Sequence, residues 1–124
     1  MHSIGIEKIA TERFRQVEKE GWTAEHDAAH KGGELAMAAC CYAMPEQLFE
    51  KEETDVVMFR DPWPFDANWD SRRDKMWNKA IRLSGKSGKR KRVDLLVKAG
   101  ALIAAEIDRL ERQRKIKTEI ANAH

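Results

Sequence analysis

Between residues 93 and 120 one apolar spacing repeats: Leu96, Gly100, Ile103, Ile107 and Leu110 follow one another at four, three, four and three residues. That rhythm places them on one narrow stripe of a single long helix, the kind of stripe that seals against neighbouring helices. Beyond Leu110 the composition turns polar, with Glu111, Lys115 and Glu119 at helical spacings, so this end is expected to project into water or to meet a partner subunit. A chain of 124 residues built on such a helix has room for one domain and one core. The expected fold is all-α: a single helical domain over residues 1–124, a small bundle with a long aromatic-rich connecting loop and a long C-terminal helix.

Two further stretches supply the rest of the bundle. Ile6, Ala10, Phe14 and Val17 make an apolar stripe on a helix over 4–20, and Gly21 supplies its stop. Thr23 caps a second helix, with Glu25 in its first turn where a negative charge meets unpaired backbone N–H groups. Gly32-Gly33 interrupts that helix. The following run, Leu35-Ala36-Met37-Ala38-Ala39-Cys40-Cys41-Tyr42-Ala43-Met44, is apolar and mostly small, and Pro45 ends it. Side chains this small let another backbone approach closely, so the run belongs at the centre of the bundle.

Charge is distributed in blocks although the net charge is only +2. Residues 46–71 carry eight acidic and two basic side chains, and residues 72–92 carry one acidic and ten basic. The acidic stretch has no helical period and reads as a structured loop. Residues 55–59 have the composition of a strand, but a lone strand cannot satisfy its backbone. Within the loop, Asp61-Pro62-Trp63-Pro64-Phe65-Asp66 and Trp69 are rigid and aromatic; their rings either pack over the bundle or wall a site for a planar ligand. A short helix around 72–83 leads to Ser84-Gly85-Lys86-Ser87-Gly88-Lys89-Arg90-Lys91-Arg92, which reads as a flexible basic loop over 84–92. Lys86, Lys89 and Arg90 there either meet phosphate or neutralise the acidic segment. Gly85-Lys86-Ser87 is not an ATPase phosphate loop, because position 80 is alanine where glycine is required.

The adjacent Cys40 and Cys41 make a poor disulfide, and no Cys/His zinc spacing exists. Both are expected to pack in a reducing compartment. No signal peptide or membrane span is legible, so the expected location is the cytoplasm, the host's if the gene is a phage's.

Chemistry concentrates in His26, Asp27, His30 and Glu34. On an unbroken helix His26, His30 and Glu34 share one face, and imidazole with carboxylate can hold a divalent ion; oxygen ligands alone suit magnesium. The other reading is a solvated polar turn whose histidines make local hydrogen bonds, with Gly32-Gly33 moving Glu34 off the shared face. Glu106 is the second candidate. It follows Leu95, Ala99 and Leu102 on a largely apolar face and needs a metal, a donor or a cation such as Arg109 or Arg13.

Two blocks resemble a family of small phage and prophage proteins of unassigned role. One is Glu20-Gly21-Trp22-Thr23-Ala24-Glu25-His26-Asp27 with His30 and Gly33-Glu34-Leu35-Ala36; the other is the stretch from Asp94 to Leu110. That family distantly resembles the all-helical MazG-like nucleotide pyrophosphohydrolases, in which acidic residues on two helices hold magnesium ions that orient a nucleoside triphosphate for attack by water between the α and β phosphates. The resemblance matches Glu34 to a metal-binding glutamate. The second glutamate expected three residues later is Met37, and the residue three after Glu106 is Arg109 rather than aspartate.

The expectation is therefore a Mg2+-dependent nucleoside triphosphate pyrophosphohydrolase or a degenerate relative. Asp27, Glu34 and Glu106 hold the ion, and His30 and Glu34 are catalytic, with His30 orienting water. Trp63 and Trp69 meet the base, while Lys86, Lys89 and Arg90 meet phosphate. The alternative is a nonenzymatic phage accessory protein that binds a host protein, a nucleotide signal or nucleic acid. A homo-oligomer is compatible with either, with no symmetry derivable from sequence.

Overall fold

The computed structural model describes residues 3–53, 56–73 and 85–123. Helix α1 spans Ile4–Glu20; the Ser3 hydroxyl caps its start, and Gly21 ends it in the left-handed region at φ 71°, where a side chain is strained. Helix α2 is the short segment Ala24–Ala28, capped by Thr23. Helix α3, Glu34–Ala43, begins after Gly33, whose φ of 85° again favours glycine. Helix α4, Gly85–Ala123, is 39 residues long, or about 58 Å. The central packing is α3 against α4, flanked by α1 and touched by α2.

The core consists of Trp22, Leu35, Ala38, Ala39, Tyr42, Leu95, Ala99, Leu102 and Ala105, with Trp63 and Phe65 packed on it. The small-residue run therefore occupies the centre, as its composition requires. Helix α1 reaches α4 at Gly100, where a Cβ would stand 2.5 Å from Ile9 Cδ1. Glycine there allows a close approach of the two helices.

The structure corrects three expectations. First, the regular stripe on the last helix is not the face that packs. Leu96, Ile103, Ile107 and Leu110 are exposed, and so are Ile6 and Phe14 of the α1 stripe. Burial falls instead on Leu95, Ala99, Ala101, Leu102 and Ala105, residues whose alanines give little hydrophobic contrast but fit close helix approach.

Second, the fold is mostly helical with a small β-hairpin, not wholly α. Strand β1, Glu50–Glu53, pairs antiparallel with β2, Val57–Arg60, with Glu50 opposite Arg60 and Glu52 opposite Met58. The missing partner strand was hidden because Glu-Lys-Glu-Glu has neither alternation nor β-propensity. Arg60 ties it down by ion pairs of 3.0 Å to both Glu50 and Glu52.

Third, residues 85–92 are the first turns of α4 and not a flexible loop. Lysine and arginine are good helix formers, and the segment runs straight into a helix already held by packing. The short helix expected around 72–83 lies, after Arg73, outside the described residues. Two 3-10 turns, Ala67–Trp69 and Ser71–Arg73, close the aromatic segment.

The α4 register predicts unequal substitutions. Leu102→Ala should cost about 2–5 kcal/mol, whereas its neighbour Ile103→Ala should stay within about 0.5 kcal/mol; urea denaturation of the two variants checks the assignment. The cysteines should also differ. Burial pushes the Cys41 thiol up to about 11, while Cys40 is exposed. Native protein at pH 8 should take up one equivalent of an alkylating reagent, at Cys40, and denatured protein two, as peptide mass mapping will read.

Candidate functional site

The Gly32-Gly33 turn separates α2 from α3, so His26, His30 and Glu34 do not share one helix face. Glu34 folds back instead, and its carboxylate accepts the Gly32 backbone N–H at 3.0 Å. The histidines still meet, because the turn after α2 brings the His30 ring to 4.7 Å from that of His26. His30 also sets its edge against Phe65 at 4.9 Å.

Asp27 is fully buried. Its Oδ2 accepts from Arg13 Nη2 at 2.8 Å, and His26 Nδ1 lies 3.1 Å from Oδ1. Arg13 also faces Asp108 at 3.9 Å, so α1 carries the guanidinium that holds α2 in place. A buried carboxylate requires such a partner, since desolvating its charge alone is expensive.

Glu106 is paired with Arg109, whose Nε lies 2.5 Å from its Oε1. The Glu106 hydrogen bond holds the Arg109 guanidinium above its ordinary range against its desolvation, and attraction from Glu34 adds to it. Arg109 is thus the ion-pair partner of Glu106, and Glu34 is engaged by the Gly32 N–H. Among the described residues no group of three or more His, Cys, Asp or Glu side chains stands close enough to hold a metal ion. Asp27, Glu34 and Glu106 as arranged here do not fit magnesium.

The aromatic residues divide into two roles. Trp63 serves the fold: its ring packs on Tyr42 at 5.0 Å, Arg72 lies over it at 5.2 Å, and its Nε1 donates to the Asp66 carbonyl. Trp69 is 39% exposed and stacks on Trp22 at 5.1 Å, which in turn stacks on His26 at 5.6 Å. Trp69 also borders a cleft of about 300 Å3 with Glu12, Gln16, Trp22, Tyr42 and Lys98.

A second cleft, of about 290 Å3, runs between the turn after α2 and α4. Its charged lining is Lys31, Arg109, Arg112 and Lys117, with no acidic side chain. Of the basic residues singled out in the sequence, Arg90 is exposed on α4, and the side chains of Lys86 and Lys89 lie outside the described residues. Lys31, Arg112 and Lys117 went unnoticed because they come from segments far apart in sequence.

Arg72 also escaped the sequence reading. It is fully buried, donating to Asp70 and Asp61 at 2.9 Å each. Burial opposes its charge, but those hydrogen bonds outweigh burial and raise the guanidinium further. The Asp61-Pro62-Trp63 segment is thus fastened by a buried ion pair as well as by ring packing.

No described helix is long and apolar enough to cross a membrane. No protein-family model, no curated protein and no solved structure matches this chain.

Replacing Arg13 by Met should destabilise the protein by about 3–5 kcal/mol, because Asp27 stays buried without its guanidinium. The double variant Arg13→Met with Asp27→Asn should recover part of that loss, which a double-mutant cycle of denaturation free energies measures.

Proposed function

We propose that the protein binds nucleoside polyphosphates, on the plan of the MazG-like pyrophosphohydrolases that its sequence resembles. The observation that carries the reading is the cleft whose charged lining residues, Lys31, Arg109, Arg112 and Lys117, are all basic, set beside Ala28, Gln113 and Ile116, with Arg109 also paired to Glu106. Four cations gathered in one wall suit a polyanion, with Glu106 already holding one of them, Arg109. Two of them, Arg109 and Arg112, offer the planar donor fork that matches phosphate oxygens. The ligand's phosphates compete for Arg109 with the Glu106 carboxylate that now engages it.

A second reading is cleavage between the α and β phosphates. It is favoured by the charge of Glu34 on α3 being felt at Arg109, the partner of Glu106 on α4. Glu106 is taken up by Arg109 and Glu34 by the Gly32 N–H, and among the described residues the carboxylates form no metal-holding group. Binding without turnover is the accessory-protein form of the same proposal. A cytoplasmic location belongs with it, since nucleotides and reduced cysteines are found together there.

The experiment is calorimetric titration with ATP, dATP, GTP and inorganic triphosphate, with and without Mg2+, alongside an assay for released pyrophosphate. Triphosphates should bind without Mg2+ and more weakly as salt rises, and Lys117→Gln should weaken them by about threefold to tenfold. Absence of binding at millimolar ligand overturns the proposal. Mg2+-dependent pyrophosphate release that Glu34→Gln abolishes would establish the hydrolase; binding with no release would leave a nucleotide-binding accessory protein.

A further inference from the structure

The stripe of α4 that the bundle leaves uncovered carries the most regular apolar pattern in the chain. Val93, Leu96, Ile103, Ile107 and Leu110 are between 43 and 54% exposed, and with Gly100 they alternate spacings of three and four residues. On one continuous helix these positions fall within an arc of about 100° and a length of about 26 Å. The place of a side chain at Gly100 is taken by Ile9 Cδ1, 2.5 Å from where a Cβ would stand, so the stripe is apolar at that step too. Arg114 holds the next position of the rhythm and ends it.

The packing of the single chain does not account for this pattern. Helix α4 turns Leu95, Ala99, Ala101, Leu102 and Ala105 inward and keeps its isoleucines out. Isoleucine and leucine at spacings of three and four gain nothing in water, whereas a seam between two helices is built from them.

We propose that the stripe is the seam of an antiparallel contact between two copies of this chain. When Gly100 lies opposite Ile103 of the second copy, Leu96 meets Ile107 and Val93 meets Leu110, and each match occurs twice by symmetry. The positions flanking that seam then bring the exposed Arg90 of each copy beside the exposed Glu111 of the other. Glu111 already bonds Arg114 of its own helix, and a carboxylate has room for both guanidinium groups. Parallel helices would instead set Glu106 beside Glu111 and Arg114 on Arg114, like charges in both places. Charge thus favours a second copy running in the opposite direction. None of Lys31, Arg109, Arg112 and Lys117 belongs to the stripe, so the contact stands or falls apart from nucleotide binding.

Sedimentation equilibrium of the full chain tests the pairing. A seam of about two and a half heptads is small for a stable dimer, so the dissociation constant is expected at about 1–100 µM. Ile103 counts for little in the single chain and for much in the pair. Ile103→Lys should therefore keep the helical circular dichroism and weaken the dimer at least about tenfold. Glu111→Arg and Arg90→Glu should each weaken it about threefold to tenfold at low salt, and the two together should restore the wild-type constant. Should Ile103→Lys lose its helical signal, the charge-exchange series carries the same decision. The mass of a single chain at every concentration up to about 1 mM overturns the inference. So does a dimer that a folded Ile103→Lys leaves intact, since it forms elsewhere, and so does a dimer that Glu111→Arg alone tightens, since that is the sign expected of parallel helices.

Discussion

The approach of α3 to α4 governs the rest of the molecule. Ala38 and Ala39 on one helix and Ala99 and Ala105 on the other are buried in one cluster with Leu35 and Leu102, and residues this small let two backbones come near each other. Everything at the periphery is hung on that pair. Gly100 lets Ile9 of α1 settle on α4, and Tyr42 at the end of α3 fixes the aromatic segment by bonding Trp69 and Ser71. Arg92 of α4 returns the contact by donating to the carbonyls of Tyr42, Ala43 and Met44, which satisfies the last turn of α3.

A second regularity is that the carboxylates of interest are each matched by a guanidinium. Asp27 has Arg13, Asp61 and Asp70 have Arg72, and Glu106 has Arg109. Arginine suits this use because it stays charged and spreads its donors in a fixed plane. The same pairing fastens α2 to α1 and the loop to itself. These four carboxylates are thus already neutralised by the chain, and an anion that binds Arg109 has to compete with Glu106 for it.

Much of the helical frame could be read from the sequence because its signals are local. Gly21 as a stop, Thr23 as a cap, the Gly32-Gly33 break and the apolar run from Leu35 to Tyr42 all depend on residues near one another. The packing faces of α1 and α4 were not legible. Periodicity finds the greasiest stripe, and here Leu96, Ile103 and Ile107 are greasier than the alanine face that packs. The hairpin escaped because β1 is nearly all glutamate. Of the site, Glu106 with Arg109 could be read from a spacing of three, whereas Arg13 with Asp27 depends on how α1 folds back over the chain, which no local pattern encodes.

Helix α4 is far longer than the elements that support it: α1 has 17 residues and α3 ten. Every residue from 113 to 123 is exposed, so these turns are held by backbone hydrogen bonds and local ion pairs such as Arg114 with Glu111. Amide protons along the one helix should therefore exchange with solvent deuterium on two scales, slowly around Ala101, where the bundle must open, and rapidly near Ile120, where fraying suffices. A continuous rod in shape is in this sense two regions in cooperativity.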